Sequence, residues 1–236
     1  MKTLVKLQWQ TACVEIIVMI FAVIFLKKAF DPFFWRFSGP AALAVIMVGL
    51  TIYLRLSGQT WEDLGLRRLQ SRRDKLMLMP QILLTFLAMS AALALALYGG
   101  LALGLTFMEE IPQGVEERWG DIKGNLPLYL IWVMISWVIA GFSEEIIFRG
   151  FMITRLTTLL GGAKSATFFA VIFAGIFFGY LHFYNQGYRG FITATLIGIA
   201  FGAMFLLFKR NLWPLIFVHG CIDTLGFTVR MLDLDV

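Results

Sequence analysis

The sequence predicts an all-α, polytopic transmembrane helical bundle, and three observations lead there. Hydrophobic residues make up 59% of the 236 and mean hydropathy is +0.80, against roughly 45–50% apolar in soluble domains. The apolar residues gather into runs close to the ~20 residues that a helix needs to cross the hydrocarbon core. Between the runs lie short charged loops, none of them a long polar linker, so a single integral membrane domain over 1–236 is expected.

The first span is read at 11–26. Lys2 and Lys6 precede it as in a signal peptide, but no small-residue cleavage site follows. Lys27 and Lys28 come instead, then Phe30, Phe33, Phe34 and Trp35, which reads as an uncleaved span with an interfacial aromatic belt. The second span is read at 40–56. The third, 77–106, lies in a stretch without charge from Leu76 to Phe107, so it must tilt or break. A break at Gly99 and Gly100 would turn seven spans into eight. The fourth is read at 126–149, with an amphipathic continuation through Thr158 ended by Gly161 and Gly162. The last three are read at 165–184, 190–208 and 212–231. Gly175 and Gly179, like Gly198 and Gly202, stand four apart, a spacing that lets membrane helices approach closely.

Loop 57–76 carries Arg67, Arg68, Arg72, Arg73 and Lys75, whereas the loop with Glu109, Glu110, Glu116 and Glu117 is acidic. The positive-inside rule then places the N-terminus in the cytoplasm, with Lys27 and Lys28 as the dissenting charges. Basic residues confined to short loops argue against nucleic-acid binding. Cys13 and Cys221 fall in the first and last spans, with no spacing for a disulfide or a zinc site.

Against this apolar background the ionisable residues stand out. A carboxylate inside a membrane helix costs roughly 2.5–3.5 kcal/mol even on lenient scales. Three pairs have a spacing of four, which puts both members on one helix face: Glu145 with Arg149, Phe178 with His182, and His219 with Asp223. The buried ionisable groups are expected to fall into these pairs. Glu145 and Arg149 form a natural ion pair. Glu144, about 100° around an α-helix, faces elsewhere, and its own four-apart neighbour is the apolar Phe148. A desolvated carboxylate of that kind suits proton abstraction from water. One histidine could share that water, and the other, with Asp223 fixing its tautomer or adding a polar group, could stabilise an oxyanion. Together these are parts for amide hydrolysis, and water would need a cavity open to one side of the bilayer. Each signal alone also has a plainer reading: a packed histidine, a structural Glu–Arg clasp, an aspartate that only orients its neighbour.

Taken in order, Glu144-Glu145 with Arg149, Phe178 with His182, and His219 with Asp223 resemble the three motifs of the CPBP family. This family comprises CAAX proteases and bacteriocin-processing enzymes, is also called ABI, and includes the type II CAAX prenyl endopeptidases. The surrounding text at 144–150 and 212–219, and Asp63–Leu66, is similar too. The resemblance covers about 125–228 and the first half only in layout. It implies an intramembrane endopeptidase, in the cytoplasmic membrane of a prokaryote, acting on a membrane-associated peptide or protein. Glu144 would activate water with help from His182, His219 and Asp223 would face the oxyanion, and Glu145 and Arg149 would support them. The last motif position is often Asn; an Asn amide donates a hydrogen bond, which an ionised Asp223 cannot.

Members of this family have also been called metalloproteases, and zinc is the alternative cofactor. The His-Glu-x-x-His pattern of many zinc peptidases is absent, and a metal-free glutamate-type site is the favoured reading. The alternative function is a non-catalytic scaffold or bacteriocin self-immunity factor on the same fold. A proton-relay transporter would be favoured by inverted repeats, which the sequence lacks. Nothing in it reads a lipid, a cleavage sequence or an oligomeric state.

Overall fold

The computed structural model describes residues 2–234, with side chains from Gln8 onward, so the side chains of Lys2 and Lys6 lie outside it. The elements are helices: α1 (Lys2–Phe34), α2 (Ser38–Leu56), α3 (Arg72–Ala94), α4 (Gly100–Ala102), α5 (Gln113–Trp119), α6 (Leu126–Ile135), α7 (Ile153–Leu159), α8 (Lys164–Leu207) and α9 (Trp213–Met231). Two π-helical stretches, Leu95–Gly99 and Ser136–Met152, join α3 to α4 and α6 to α7 without interruption. Three of the resulting rods are long and apolar enough to cross a membrane: Arg72–Ala102, Leu126–Leu159 and Lys164–Leu207.

The differences from the sequence reading are informative. The first helix runs through Lys27 and Lys28 to Phe34, because Lys27 finds Asp31 one turn on, at 3.4 Å, and lies 3.2 Å above the Tyr184 ring. At Gly99 and Gly100 the third rod does not break; a π turn ending at Gly99 passes directly into α4 at Gly100. The fourth rod extends to Leu159 rather than stopping at Arg149, so Glu144 lies well inside it. The fifth and sixth spans are the two arms of α8, which bends at Gly187 (φ 57°, ψ −155°). A side chain at Gly175 would meet Ile199 and one at Gly198 would meet the Gly175 backbone, so the arms fold back on each other along the glycine stripes.

The core lies where the Ser136–Met152 π-helix meets α8 and α9, with Ile146, Ile147, Phe148, Met152, Phe201, Phe205 and Leu215 almost wholly buried. Phe21, Val48, Leu83 and Phe168 turn outward and are more than half exposed, the surface that lipid would cover. Leu64 of loop 57–71 is fully buried beneath this core. Its carbonyl oxygen lies against Gly150, where a side chain would collide with it. Leu212 N–H donates to the Gly65 carbonyl at 3.0 Å, and the Trp213 indole donates to the Arg67 carbonyl at 2.8 Å. These bonds clasp the loop to the turn before α9 and close that end of the bundle.

One buried polar cluster has no counterpart in the three sequence pairs. Glu15 of α1 meets Arg155 of α7 at 2.6 Å and accepts from the Tyr53 hydroxyl of α2, while Arg155 also donates to Gln59 at 2.6 Å. The buried ionisable groups therefore do not all fall into four-apart pairs. Glu15 ties together three elements that are remote in sequence, and both members of its ion pair are largely buried.

Candidate active site

The i→i+5 ladder of the Ser136–Met152 π-helix, 17 residues long, replaces the α-helix expected around Glu144. Such geometry is rare in proteins and, where short π-bulges occur, they are frequent at functional sites. Alongside it α9 approaches closely at two glycines. A side chain at Gly141 would press on the backbone of Ile216 and Gly220, and one at Gly220 would lie 2.7 Å from the Trp137 ring. Trp137 in turn donates its indole N–H to Thr224 at 3.1 Å. This close contact brings His219 beside the glutamates.

The two glutamates part as their spacing suggested. Glu145 is fully buried, and its Oε1 accepts from Arg149 at 2.9 Å and from His219 Nδ1 at 2.8 Å. The Arg149 guanidinium lies 4.6 Å from the Phe178 ring and 5.2 Å from the Phe201 ring. Its Nη2 has no hydrogen-bond partner among the described residues, and these π faces supply part of the missing stabilisation. Glu144 instead lines a cavity of about 800 Å³ together with Phe148, Phe178, His182, His219 and Asp223. That volume falls within the roughly 300–1,000 Å³ of ligand sites.

The histidines have defined orientations. His182 Nδ1 lies 2.8 Å from the Phe178 carbonyl; a carbonyl only accepts, so Nδ1 carries the proton and Nε2 keeps a lone pair. Phe178 thus holds His182 through its carbonyl and through its ring, 4.5 Å away between centroids. His219 donates through Nδ1 to Glu145, leaving Nε2 at 3.9 Å from Glu144 and 3.8 Å from Asp223. The residue that orients His219 is therefore Glu145 rather than Asp223, which stands across a gap wider than a hydrogen bond. This cross-helix contact joins two of the sequence pairs into one chain: Arg149, Glu145, His219.

All seven residues singled out from the sequence meet here, four on the cavity wall with Phe178 and two, Glu145 and Arg149, behind it. A fourth span ending at Arg149 would leave Glu144 near one face of the bilayer and His182 nearer the other; the rod continues to Leu159, and both residues line one cavity. The cavity mouth is formed by α5, the Gly187 bend and the end of α9, with Arg118, Arg189 and Arg230 on its wall. Arg118, in sequence one basic residue of the acidic loop, lies over its neighbour Trp119 and the nearby Trp132 at 5.2 and 5.5 Å. Cys13 and Cys221 are free thiols away from this cavity. Among the described residues no group of three or more His, Cys, Asp or Glu side chains is arranged to hold a metal ion.

A bundle of apolar helices enclosing carboxylates and histidines around a cavity defines an integral membrane protein with a candidate hydrolytic centre. Residues 126–225 match the family model described as type II CAAX prenyl endopeptidase Rce1-like. That segment is similar to the CAAX protease family, as the three motifs suggested, and the kind of function the match supports is CAAX-type intramembrane proteolysis. No curated protein and no solved structure matches the chain.

Proposed function

We propose that the protein is an endopeptidase that hydrolyses a peptide bond of a membrane-associated peptide or protein, using water activated by Glu144. One observation carries this reading: Glu144, His182, His219 and Asp223 share one cavity inside the segment that matches the Rce1-like family. In this mechanism a water between Glu144 and the lone pair of His182 Nε2 gives its proton to the Glu144 carboxylate as its oxygen attacks the scissile carbonyl carbon. The C=O π electrons move to the carbonyl oxygen, which accepts a hydrogen bond from Nε2–H of His219 in its imidazolium form, while Nδ1–H stays on Glu145. Collapse reforms the carbonyl and breaks the C–N bond, and Glu144 returns the proton to the leaving nitrogen. Glu145 and Arg149 act as positioning residues that hold His219, and Asp223 contributes a polar wall opposite Glu144. The mechanism needs no metal.

The charge distribution supports a cytoplasmic N-terminus and a cavity that opens on the side opposite loop 57–71. A prokaryotic cytoplasmic membrane is the proposed location, and prenylated CAAX peptides are one substrate class that the family description suggests. Purified protein in detergent, offered a peptide library with and without a chelator, tests the reading. Cleavage should survive the chelator, and Glu144→Gln should lower kcat by roughly 10²–10⁴-fold. Undiminished cleavage by Glu144→Gln would sink it. Chelator-sensitive cleavage restored by zinc would overturn its metal-free form.

A further inference from the structure

Five cationic side chains line the cavity: Lys27, Arg118, Lys123, Arg189 and Arg230. Four are already engaged. Lys27 pairs with Asp31 at 3.4 Å, Lys123 with Asp233 at 2.5 Å and Arg230 with Glu116 at 2.7 Å. Arg189 donates to the Glu110 carbonyl at 2.6 Å. Arg118 alone makes no hydrogen bond or ion pair among the described residues, and its Nε is buried without a partner. An unpaired guanidinium in a partly buried wall is costly unless something completes it.

The surroundings of Arg118 show what would. Its guanidinium lies over the rings of Trp119 and Trp132, at 5.2 and 5.5 Å from their centroids, and the two rings are themselves edge to face at 5.9 Å. This aromatic seat fixes a planar fork before any ligand arrives. The helix that carries it, α5, is seated tightly: a side chain at Gly114 would lie 2.5 Å from the Asn185 carbonyl oxygen, so the helix backbone rests on the α8 bend. Burial lowers Arg118 to about 10, with Glu144 the strongest of the anionic groups acting the other way. It is therefore cationic at neutral pH, within electrostatic range of the residue assigned to water activation. The acceptor that best matches a rigid planar fork is a carboxylate, which pairs with it through two parallel hydrogen bonds.

We propose that Arg118 anchors a carboxylate of the substrate peptide at the cavity mouth and so sets which bond reaches Glu144. The proposal rests on the peptidase reading above. Two sources have this chemistry, a free peptide C-terminus and an acidic side chain.

The probes are N-dodecanoylated decapeptides randomised over their last four residues, prepared as free acids, as C-terminal amides, and as amides without Asp or Glu. Retention on the detergent-solubilised full chain carrying Glu144→Gln measures binding without turnover. One or both carboxylate-bearing pools should be retained about tenfold or more over the neutral pool, the size of a charge-assisted hydrogen bond. Loss of retention on amidation assigns the free C-terminus; loss on removing Asp and Glu assigns the side chain. Adding Arg118→Gln should abolish the preference without lowering the melting temperature, and Arg118→Lys should restore part of it. In the otherwise wild-type chain Arg118→Gln should raise KM and leave kcat unchanged.

Equal retention of all pools, or none, overturns the anchor. So does an Arg118→Gln variant that lowers kcat and shifts its pH profile at constant KM, since Arg118 would then act on Glu144. Anionic lipid that co-purifies with the wild type and is lost from Arg118→Gln assigns the site to a phosphate headgroup and also overturns it. Carboxylate preference on Glu144→Gln without cleavage by the wild type would keep the anchor and remove the peptidase; cleavage without preference would do the reverse.

Discussion

At the end of the bundle that carries loop 57–71, polar groups are consumed in structure. Glu15, Tyr53, Gln59 and Arg155 pair with one another, Asn211 donates to Gln81 at 2.9 Å, and Trp213 and Leu212 bind the loop carbonyls. At the other end Glu144, His182 Nε2, His219 Nε2, Asp223 and Arg118 face a cavity with reach to spare. The pair Glu145–Arg149 sits at the boundary: buried like the closed end, yet bonded to a residue of the open one. The difference separates residues whose loss should weaken the fold from residues whose loss should stop the chemistry.

The sharpest division comes from Glu144→Gln. The change is nearly isosteric, so kcat should fall by roughly 10²–10⁴-fold while thermal unfolding in detergent is unaltered. A large drop in melting temperature would place Glu144 with the closed end. Arg149→Met tests the boundary. Removing one partner of a buried ion pair costs about 3–5 kcal/mol, and His219 should lose its fixed orientation as well, so both stability and kcat should fall. A variant that lost only stability would detach the Glu145–His219 bond from function.

Gly150→Ala belongs to the closed end, because its new Cβ would press on the Leu64 carbonyl. Overpacking of this kind costs about 1–3 kcal/mol, and kcat should be unchanged for the molecules that remain folded. The smallest effect is expected from Trp213→Phe, which removes one hydrogen bond to Arg67, worth roughly 0.5–1.5 kcal/mol. Denaturation curves and single-turnover rates on the same preparations check both.

Much of the fold was legible because hydrocarbon imposes a length and an apolar composition on each rod, and the runs near 40–56, 165–184, 190–208 and 212–231 fall on α2, the two arms of α8, and α9. The separation of Glu144 from Glu145 was legible for a similar reason: neighbours on a helix point to different sides, and only Glu145 has a four-apart cation. The π-helix was not legible, since nothing about residues 136–152 distinguishes an i→i+5 ladder from an i→i+4 one. The Glu145–His219 bond was hidden because 74 positions separate its partners. Glu15 carried a readable signal, a single acid within the first apolar run, but nothing in the sequence marks Arg155, among the basic residues near the loops, as its partner. Arg118 was obscured in the same way, for a loop charge reveals a binding role only when its neighbours leave it unpaired.

The bend at Gly187 has a consequence for how the protein is made. Its φ and ψ belong to a region that is essentially glycine-only, and no atom crowds the position, so the requirement there is purely conformational. A one-residue turn leaves no slack between the two arms of α8, so they are expected to enter a bilayer together as a hairpin. His182 rides on the first arm, five residues before the bend. Its depth along the bundle is therefore tied to the position of that bend.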